Sequence, residues 1–280
     1  MNHSLEIPKL LDVALLAARA GGNILQSYWG KQLHIREKGK AGDLITEVDQ
    51  KAEQEILAVL DRHFPEHGIL AEESGILGNA NSEYLWVIDP LDGTTNYAHG
   101  YPQAAVSVGL LVSGIPTVGV VYNPMQNELW AGAQGLGATL NHTPIQVSTI
   151  DKLKDSLLVT GFAYDRTEVE DNNYAEFCYL THLTQGVRRG GSASLDLCHV
   201  AGGRLEGYWE RGLKPWDLLA GVVILLEAGG KITAYDESNF DLYSGKILAT
   251  NGYIHSSLSK ALLNTPHSPD FVYKDIQVNI

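Results

Sequence analysis

The chain has 280 residues, of which 44% are hydrophobic, and a formal net charge of −13. This length suits one large α/β domain or two halves that share a core. The sequence has no basic tract, which argues against nucleic acid as its main ligand. It also lacks an apolar run of the ~20 residues that a membrane span needs. No secretory signal is visible, and the two cysteines, Cys178 and Cys198, have no disulfide or metal-ligand spacing. We therefore expect both to be small core residues of a reduced, cytoplasmic protein.

Hydrophobic periodicity predicts an alternation of helices and strands along the chain. In chain order, helices are predicted over 5–29 and 47–63, then strands over 84–89, 104–113, 116–123, 127–133, 137–140 and 145–148. Strand 157–161, helix 171–185, strand 187–189, helix 194–202, strand 205–210, helix 216–228, strands 230–235 and 246–250 and helix 254–264 follow. Thr46 followed by Asp49 predicts a capping box for the second helix. The short spacings in the first half favour antiparallel neighbours, and 265–280 shows no period.

The most informative stretch is 86–97, where a short apolar run ends in Asp89 and Asp92. The proline between them fixes φ, and the turn that follows lets both carboxylates converge. Carboxylate and carbonyl oxygens are hard ligands that suit Mg²⁺. Gly93 and Thr94 then offer backbone N–H groups where a phosphate is favoured, at the start of a helix. The alternative is an acid-rich turn, because Asp-Pro and Asp-Gly are common in turns.

Two other carboxylate sites favour a functional interpretation. Upstream, the apolar strand within 68–75 ends in Glu72, Glu73 and a glycine. Downstream, Asp217 lies in the first turn of an apolar helix, just after Pro215, where an acid suits the helix dipole. Each group alone could be a cap or a turn. Three carboxylate groups at the ends of elements, each beside a glycine, predict one assembled site.

These stretches resemble the inositol monophosphatase family of Mg²⁺-dependent, lithium-sensitive phosphatases, in order and spacing, from about residue 10 to about residue 262. The matching stretches are 43–49, 71–74, 86–96, 190–197 and 216–230. The resemblance implies a layered α/β sandwich of α+β type, with two mainly antiparallel sheets and helix layers. It also implies an N-terminal half, 1–145, with most metal ligands. The C-terminal half, 146–280, would carry Asp217 and the substrate contacts. Members of the family are commonly dimeric, so a homodimer is expected.

The resemblance also implies roles for individual residues. The metal ligands would be Glu72, Asp89, the carbonyl of Leu91, Asp92 and Asp217, holding two or three Mg²⁺ ions, with Mn²⁺ as a possible substitute. Asp89 would bridge two ions, one binding the attacking water and the other beside the leaving group. The general base stays open between Glu72 and Thr94 hydrogen-bonded to Asp49. Substrate contacts would come from Gly93, Thr94, Ala193, Glu210 and Asp217. Glu73 is left out, because adjacent side chains on a strand point opposite ways.

The predicted substrate is a small phosphorylated polyol or sugar, most simply inositol-1-phosphate. Fructose-1,6-bisphosphate and histidinol phosphate are the alternatives within the family. Arg211 and Lys214 are basic residues in the loop before Asp217, so a bisphosphate or a phosphorylated sugar stays an alternative substrate. Arg188 and Arg189 suit a solvated strand edge, a dimer contact, or a second phosphate. A different class of function is a non-catalytic partner of the transcription machinery. The filled ligand positions argue against that as the sole role.

Overall fold

The computed structural model describes residues 7–37, 44–79 and 81–266. Its helices are α1 Ile7–Tyr28, α2 Glu47–His63, α3 Thr94–Ala98, α4 Tyr174–Leu183, α5 Ala193–Ala201, α6 Pro215–Glu227 and α7 His255–Leu263. Its strands are β1 Ile35–Glu37, β2 Leu44–Thr46, β3 Gly68–Ala71, β4 Gly75–Leu77, β5 Tyr84–Asp92, β6 Ala105–Val112, β7 Ile115–Asn123, β8 Glu128–Ala133, β9 Gly137–Leu140, β10 Thr143–Pro144, β11 Leu157–Thr160, β12 Gly186–Arg189, β13 Gly207–Arg211, β14 Lys231–Thr233 and β15 Lys246–Thr250. None of the helices in these ranges is long and apolar enough to span a bilayer.

The elements stack in five layers. Helices α1 and α2 cover one face of an eight-stranded sheet of order β10-β9-β8-β7-β6-β5-β3-β4. Helices α5 and α6 lie between that sheet and a five-stranded sheet of order β12-β11-β13-β15-β14. Helices α4 and α7 cover the far face of the second sheet. The predicted layered α/β sandwich is therefore confirmed.

The two sheets differ in strand direction. Every pair in the first sheet is antiparallel except β3 with β5. The second sheet has two parallel pairs, β11 with β12 and with β13, and two antiparallel pairs. It is thus evenly mixed, where the sequence predicted a mainly antiparallel sheet. The reason is that α4 and α5 connect β11, β12 and β13, and a helical crossover allows parallel pairing.

Helix α6 is buried between both sheets, which explains why it is apolar around its whole circumference. The surface beneath it is a row of glycines, Gly109, Gly119 and Gly132, directly opposite one another on β6, β7 and β8. A Cβ at Gly119 would lie 2.2 Å from the Ala220 carbonyl oxygen, and one at Gly109 would lie 2.7 Å from Leu219 Cγ. The missing side chains let α6 lie almost on the backbone of the sheet.

The starts of two helices could be predicted from their first residues. Helix α2 has its predicted bounds, and the capping box is present: the Thr46 hydroxyl accepts the Val48 N–H, while Asp49 accepts the Thr46 N–H at 2.8 Å. Helix α6 begins at Pro215, one residue before its predicted start at 216, with the proline in its first turn. Strands β1, β2, β4 and β10 are short and were not predicted.

Three local predictions were wrong. Residues 145–148 form no strand; the N–H of Val147 instead donates to a carbonyl at the end of α6. The helix predicted over 171–185 begins only at Tyr174, because Asn173 has a φ of 71° and its side-chain amide bonds the end of β11. Cys198 is buried as expected, but Cys178 is exposed. It lies on α4, a helix that packs mostly at the surface and fully buries only Leu180. Most of 265–280, which had no predicted structure, lies outside the described residues.

Candidate active site

The two aspartates of β5 flank a β-bulge. Asp89 lies opposite Ser107 and Asp92 lies opposite Ala105, so three steps along β5 match two steps along β6. In a regular strand, residues three apart point to opposite faces. A bulge adds one residue and re-aims the side chains. The Leu91 N–H donates to Asp89 Oδ1 at 2.9 Å, which fixes the turn. The bulge thereby directs both buried carboxylates into one region.

Glu72 joins them because β3 runs parallel to β5 and ends beside it. Ala71 pairs with Ile88, and the Glu72 N–H donates to the Ile88 carbonyl at 3.1 Å. The Glu72 and Asp89 carboxyl groups share a hydrogen bond. The predicted convergence of these two acids is what the structure shows.

Hydrogen bonds to Glu53, a buried residue of α2, fix the turn after Glu72. The sequence alone predicts no role for Glu53. Glu53 accepts the Glu73 N–H at 3.0 Å and also accepts the Ser74 hydroxyl. The available signal was its spacing: Glu53 lies one helical turn after Asp49, on the same face of α2.

Asp217 reaches the cluster from the start of α6. Its Oδ2 accepts the Lys214 N–H at 2.7 Å, which caps the helix. The Ser107 hydroxyl donates to the Trp216 carbonyl at 3.0 Å. Ser107 is the residue opposite Asp89 in the sheet. This bond therefore places the first turn of α6, with Asp217, beside the bulge of β5.

Asp92 is held by the start of α5. Its Oδ2 accepts the Ser192 hydroxyl at 2.7 Å, the Ser194 N–H at 2.8 Å and the Ser194 hydroxyl at 2.5 Å. Ala193, a predicted substrate contact, lies between the two serines. The sequence alone predicts no function for either serine. The only local signal was a serine just before an apolar helix, which suggests nothing beyond an N-cap.

The surroundings of the three aspartates raise their pKa values. Burial raises the pKa of Asp89 well above its usual range, and the neighbouring Glu72, Asp92 and Asp217 raise it further. Burial, followed by Asp92, also raises the pKa of Asp217. For Asp92, burial raises the pKa while the hydrogen bonds from α5 lower it.

Hard divalent cations match this donor set in charge and chemistry. Within the described residues, no three or more His, Cys, Asp and Glu side chains are already arranged to hold a metal ion. The fit of this cluster to a cation therefore lies in its charge and its oxygen donors.

Thr94 and Asp49 meet next to the bulge. The Thr94 hydroxyl lies 3.2 Å from Asp49 Oδ1 and 3.0 Å from the Leu91 carbonyl, and its single proton serves one acceptor at a time. Asp49 Oδ2 accepts both the N–H and the hydroxyl of Thr46. Its capping role and its contact with Thr94 thus coexist. Gly93 precedes Thr94 with a φ of 92°, and a Cβ there would lie 2.8 Å from a carbonyl oxygen, so this turn requires glycine.

Glu210 lies at the end of β13 in a polar pocket. It accepts the Tyr208 hydroxyl at 2.7 Å, and a Cβ on Gly161 would lie 2.1 Å from its Oε1. Burial raises the pKa of Glu210 to about 7, although the Tyr208 bond and the charge of Arg189 oppose the rise. Asp196 lies nearby with 1% exposure, and neither carboxyl oxygen has a hydrogen-bond partner among the described residues. Burial and then Glu210 raise the pKa of Asp196 well above its usual range.

The four basic residues that could bind a second phosphate differ in their exposure and in their partners. Arg211 is already engaged: its guanidinium binds Asp165 Oδ1 at 2.6 Å and donates to the Asp171 carbonyl. Only 11% of its side chain is exposed. Arg211 therefore fastens the segment 162–173 beside the site, and its charge is already paired with a carboxylate. Lys214 is exposed, and so are both arginines of the edge strand β12.

Comparison with known proteins identifies the family. A model of the inositol monophosphatase family matches residues 7–267. The chain belongs to the inositol monophosphatase family. It is therefore a phosphatase of this family, and the enzyme class inferred from the sequence is confirmed.

Individual relatives agree along almost the whole chain. The chain is 62% identical over 256 residues to a Synechocystis inositol-1-monophosphatase, which covers 91% of this chain and 89% of that protein. It is 38% identical to the Nus factor SuhB of Haemophilus influenzae, over 91% of this chain and 94% of that one. The solved inositol monophosphatase of Anabaena superposes with a TM-score of 0.86 at 57% identity, covering 93% of this chain and 98% of that chain.

Proposed function

We propose that this protein is a Mg²⁺-dependent phosphomonoester hydrolase that acts on inositol-1-phosphate. The observation that carries the proposal is the meeting of four acids from three parts of the chain in one cluster, in which Asp89 and Asp92 are buried and Glu72 and Asp217 are partly buried. The Synechocystis relative named an inositol-1-monophosphatase supports the substrate. The proposed metal ligands are Glu72, Asp89, the Leu91 carbonyl, Asp92 and Asp217. They would hold two to three Mg²⁺ ions, which Mn²⁺ could replace.

Mg²⁺ bound there would supply positive charge to polarise the phosphate and to acidify the attacking water. The backbone N–H groups of Gly93 and Thr94 would orient the phosphate at the start of α3. Two routes exist for the proton of the attacking water. One is the Thr94 hydroxyl, which lies 3.2 Å from Asp49 and can pass its own proton to that carboxylate. The other is Glu72, within the acid cluster.

The alcohol end of the substrate would face β13 and α5. Glu210 can accept two vicinal hydroxyl groups, a pattern that polyols offer. Ala193 and Asp217 would complete this side of the pocket. The pairing of Arg211 with Asp165 favours a monophosphate over a bisphosphate, because the charge of this arginine is already balanced by a carboxylate.

Phosphate release tests the proposal directly. The panel contains inositol-1-phosphate, fructose-1,6-bisphosphate and histidinol phosphate, each with Mg²⁺ and with EDTA. We expect Mg²⁺-dependent turnover, highest in kcat/KM for inositol-1-phosphate, and at least a hundredfold loss in Asp92→Asn. The matched control is Asp61→Asn, an exposed aspartate of α2. Turnover that persists in EDTA, or that survives Asp92→Asn, would overturn the metal assignment.

The relative named Nus factor SuhB favours a second candidate, a binding role in transcription. An interaction of purified RNA polymerase with this protein that persists in Asp92→Asn would separate binding from hydrolysis. No interaction of either form would remove this candidate. We further propose that the protein is a cytoplasmic homodimer and that lithium inhibits it. Analytical ultracentrifugation tests the dimer, lithium titration of the turnover tests the inhibition, and cell fractionation tests the location.

A further inference from the structure

The carboxylate of Asp92 is held through one oxygen only. Oδ2 accepts three hydrogen bonds, from the Ser192 hydroxyl, the Ser194 N–H and the Ser194 hydroxyl. A carboxylate oxygen has about two lone-pair directions, so three donors saturate it. Among the described residues, no hydrogen bond ends on Oδ1. The two oxygens of this acid therefore have separate tasks.

The arrangement reverses the usual capping of a helix. Ser192 is the N-cap residue of α5, yet its hydroxyl makes no capping bond to the helix. An N-cap side chain normally accepts an N–H of the first turn. Here Asp92, about a hundred residues earlier in the chain, accepts the Ser194 N–H instead. The serine hydroxyls are left to donate to the acid.

We propose that Ser192 and Ser194 are positioning residues for Asp92, which lock Oδ2 and leave Oδ1 to bind the cation of the acid cluster. This inference rests on the proposed function, because it assumes that the cluster binds Mg²⁺. The terminal torsion of an aspartate is broad and roughly two-fold when it is free. Three hydrogen bonds select one orientation before any cation binds. Outer partners of metal ligands typically contribute about ten- to hundredfold to affinity.

The decisive measurement is calorimetric titration of the full-length protein with Mg²⁺. We expect Ser194→Ala to raise the Mg²⁺ dissociation constant about tenfold. Ser194→Cys keeps the side-chain volume but offers only a weak donor, so it should weaken binding almost as much. The matched control is Ser156→Ala, another fully buried serine, whose hydroxyl donates to the Lys152 carbonyl at 2.9 Å. Its Mg²⁺ affinity should not change.

Kinetics provide a second readout that a general packing defect would not produce. In Ser194→Ala the Mg²⁺ concentration for half-maximal turnover should rise about tenfold, while the substrate KM at saturating Mg²⁺ stays within about twofold. Far-ultraviolet circular dichroism establishes that each variant is folded. Ser194→Cys carries the test if the alanine variant is not.

The outcomes distinguish the two proposals. A wild-type protein that binds no Mg²⁺ overturns the proposed function and this inference with it. A wild-type protein that binds Mg²⁺, with unchanged affinity in Ser194→Ala, overturns this inference alone. Wild-type affinity in Ser194→Cys beside weakened affinity in Ser194→Ala also overturns it, because side-chain volume would then be the cause.

Discussion

Replacing Glu210 with glutamine should make the protein more stable and less active. Burial is the main reason that the pKa of Glu210 rises from its ordinary 4.5 to about 7 in the folded protein. Above pH 7 the folded state therefore carries a charge that its pocket disfavours. One pH unit corresponds to about 1.4 kcal/mol, so this rise corresponds to about 3 kcal/mol of lost stability. Glutamine has nearly the same shape and still accepts the Tyr208 hydroxyl, but it carries no charge.

The sign of the effect fixes its pH window. A folded-state pKa above the unfolded value gives stability that is fully present below pH 4.5 and is lost as the pH rises through 7. The advantage of Glu210→Gln should therefore be near zero at pH 4.5, grow across the window and stay near 3 kcal/mol at pH 8. Urea unfolding at intervals from pH 4.5 to 8, in EDTA so that no cation neutralises the neighbouring acids, measures it.

A stability difference that is the same at pH 5 and pH 8 would refute this reasoning. The companion variant is Tyr208→Phe. The Tyr208 hydrogen bond lowers the pKa of Glu210, so its loss should move the pH range of the stability change to higher pH.

The same Glu210→Gln protein should bind the substrate more weakly, because a carboxylate accepts two hydroxyl donors better than an amide does. Gained stability with lost function is the usual trade at a charged binding site.

Three other predictions concern the frame around the site. His255 is bonded through both ring nitrogens to buried threonine hydroxyls, and burial lowers its pKa to about 4. The stability that it contributes should therefore be lost as the pH falls from about 6.5 to 4. An NMR titration that gives a pKa near 6.5 for His255 would contradict this. Gly119→Ala should lower the free energy of unfolding by about 1–3 kcal/mol or more, because its Cβ would lie 2.2 Å from a carbonyl of α6; an unchanged urea midpoint would be the contrary result. Arg211→Gln should release the segment 162–173, which Arg211 fastens. The substrate KM and the rate of proteolysis within that segment should rise, with little change in kcat. Wild-type resistance to protease in this variant would show that the segment needs no such anchor.

The parts of the fold that could be predicted are those with local causes. Thr46 and Asp49 lie three residues apart, so the cap of α2 is readable in the sequence. The acids of the site each follow an apolar run or begin one, and each adjoins a glycine or a proline turn. These local patterns are why the amino-acid sequence alone predicts that Glu72, Asp89 and Asp217 belong to one site.

The parts that could not be predicted depend on contacts between distant residues. Ile145 and Val147 alternate as a strand would, but this stretch bonds the end of α6 and forms no ladder. The partner of Ser194 is about a hundred residues away, and no local pattern reports such a hydrogen bond. The left-handed backbone of Asn173, which delays α4, is fixed by side-chain bonds to another strand.

The position of α6 in the chain sets an order of events during synthesis. The last strand of the first sheet ends at Pro144, but the helix that covers its inner face begins at Pro215, about 70 residues later. At about 5–20 residues per second, a ribosome needs several seconds to make that stretch. In this interval α6 does not yet exist, so the glycine row that it covers is exposed. A nascent chain that stalls before Pro215 would thus present an open sheet face to other chains, and aggregation would compete with folding at that stage.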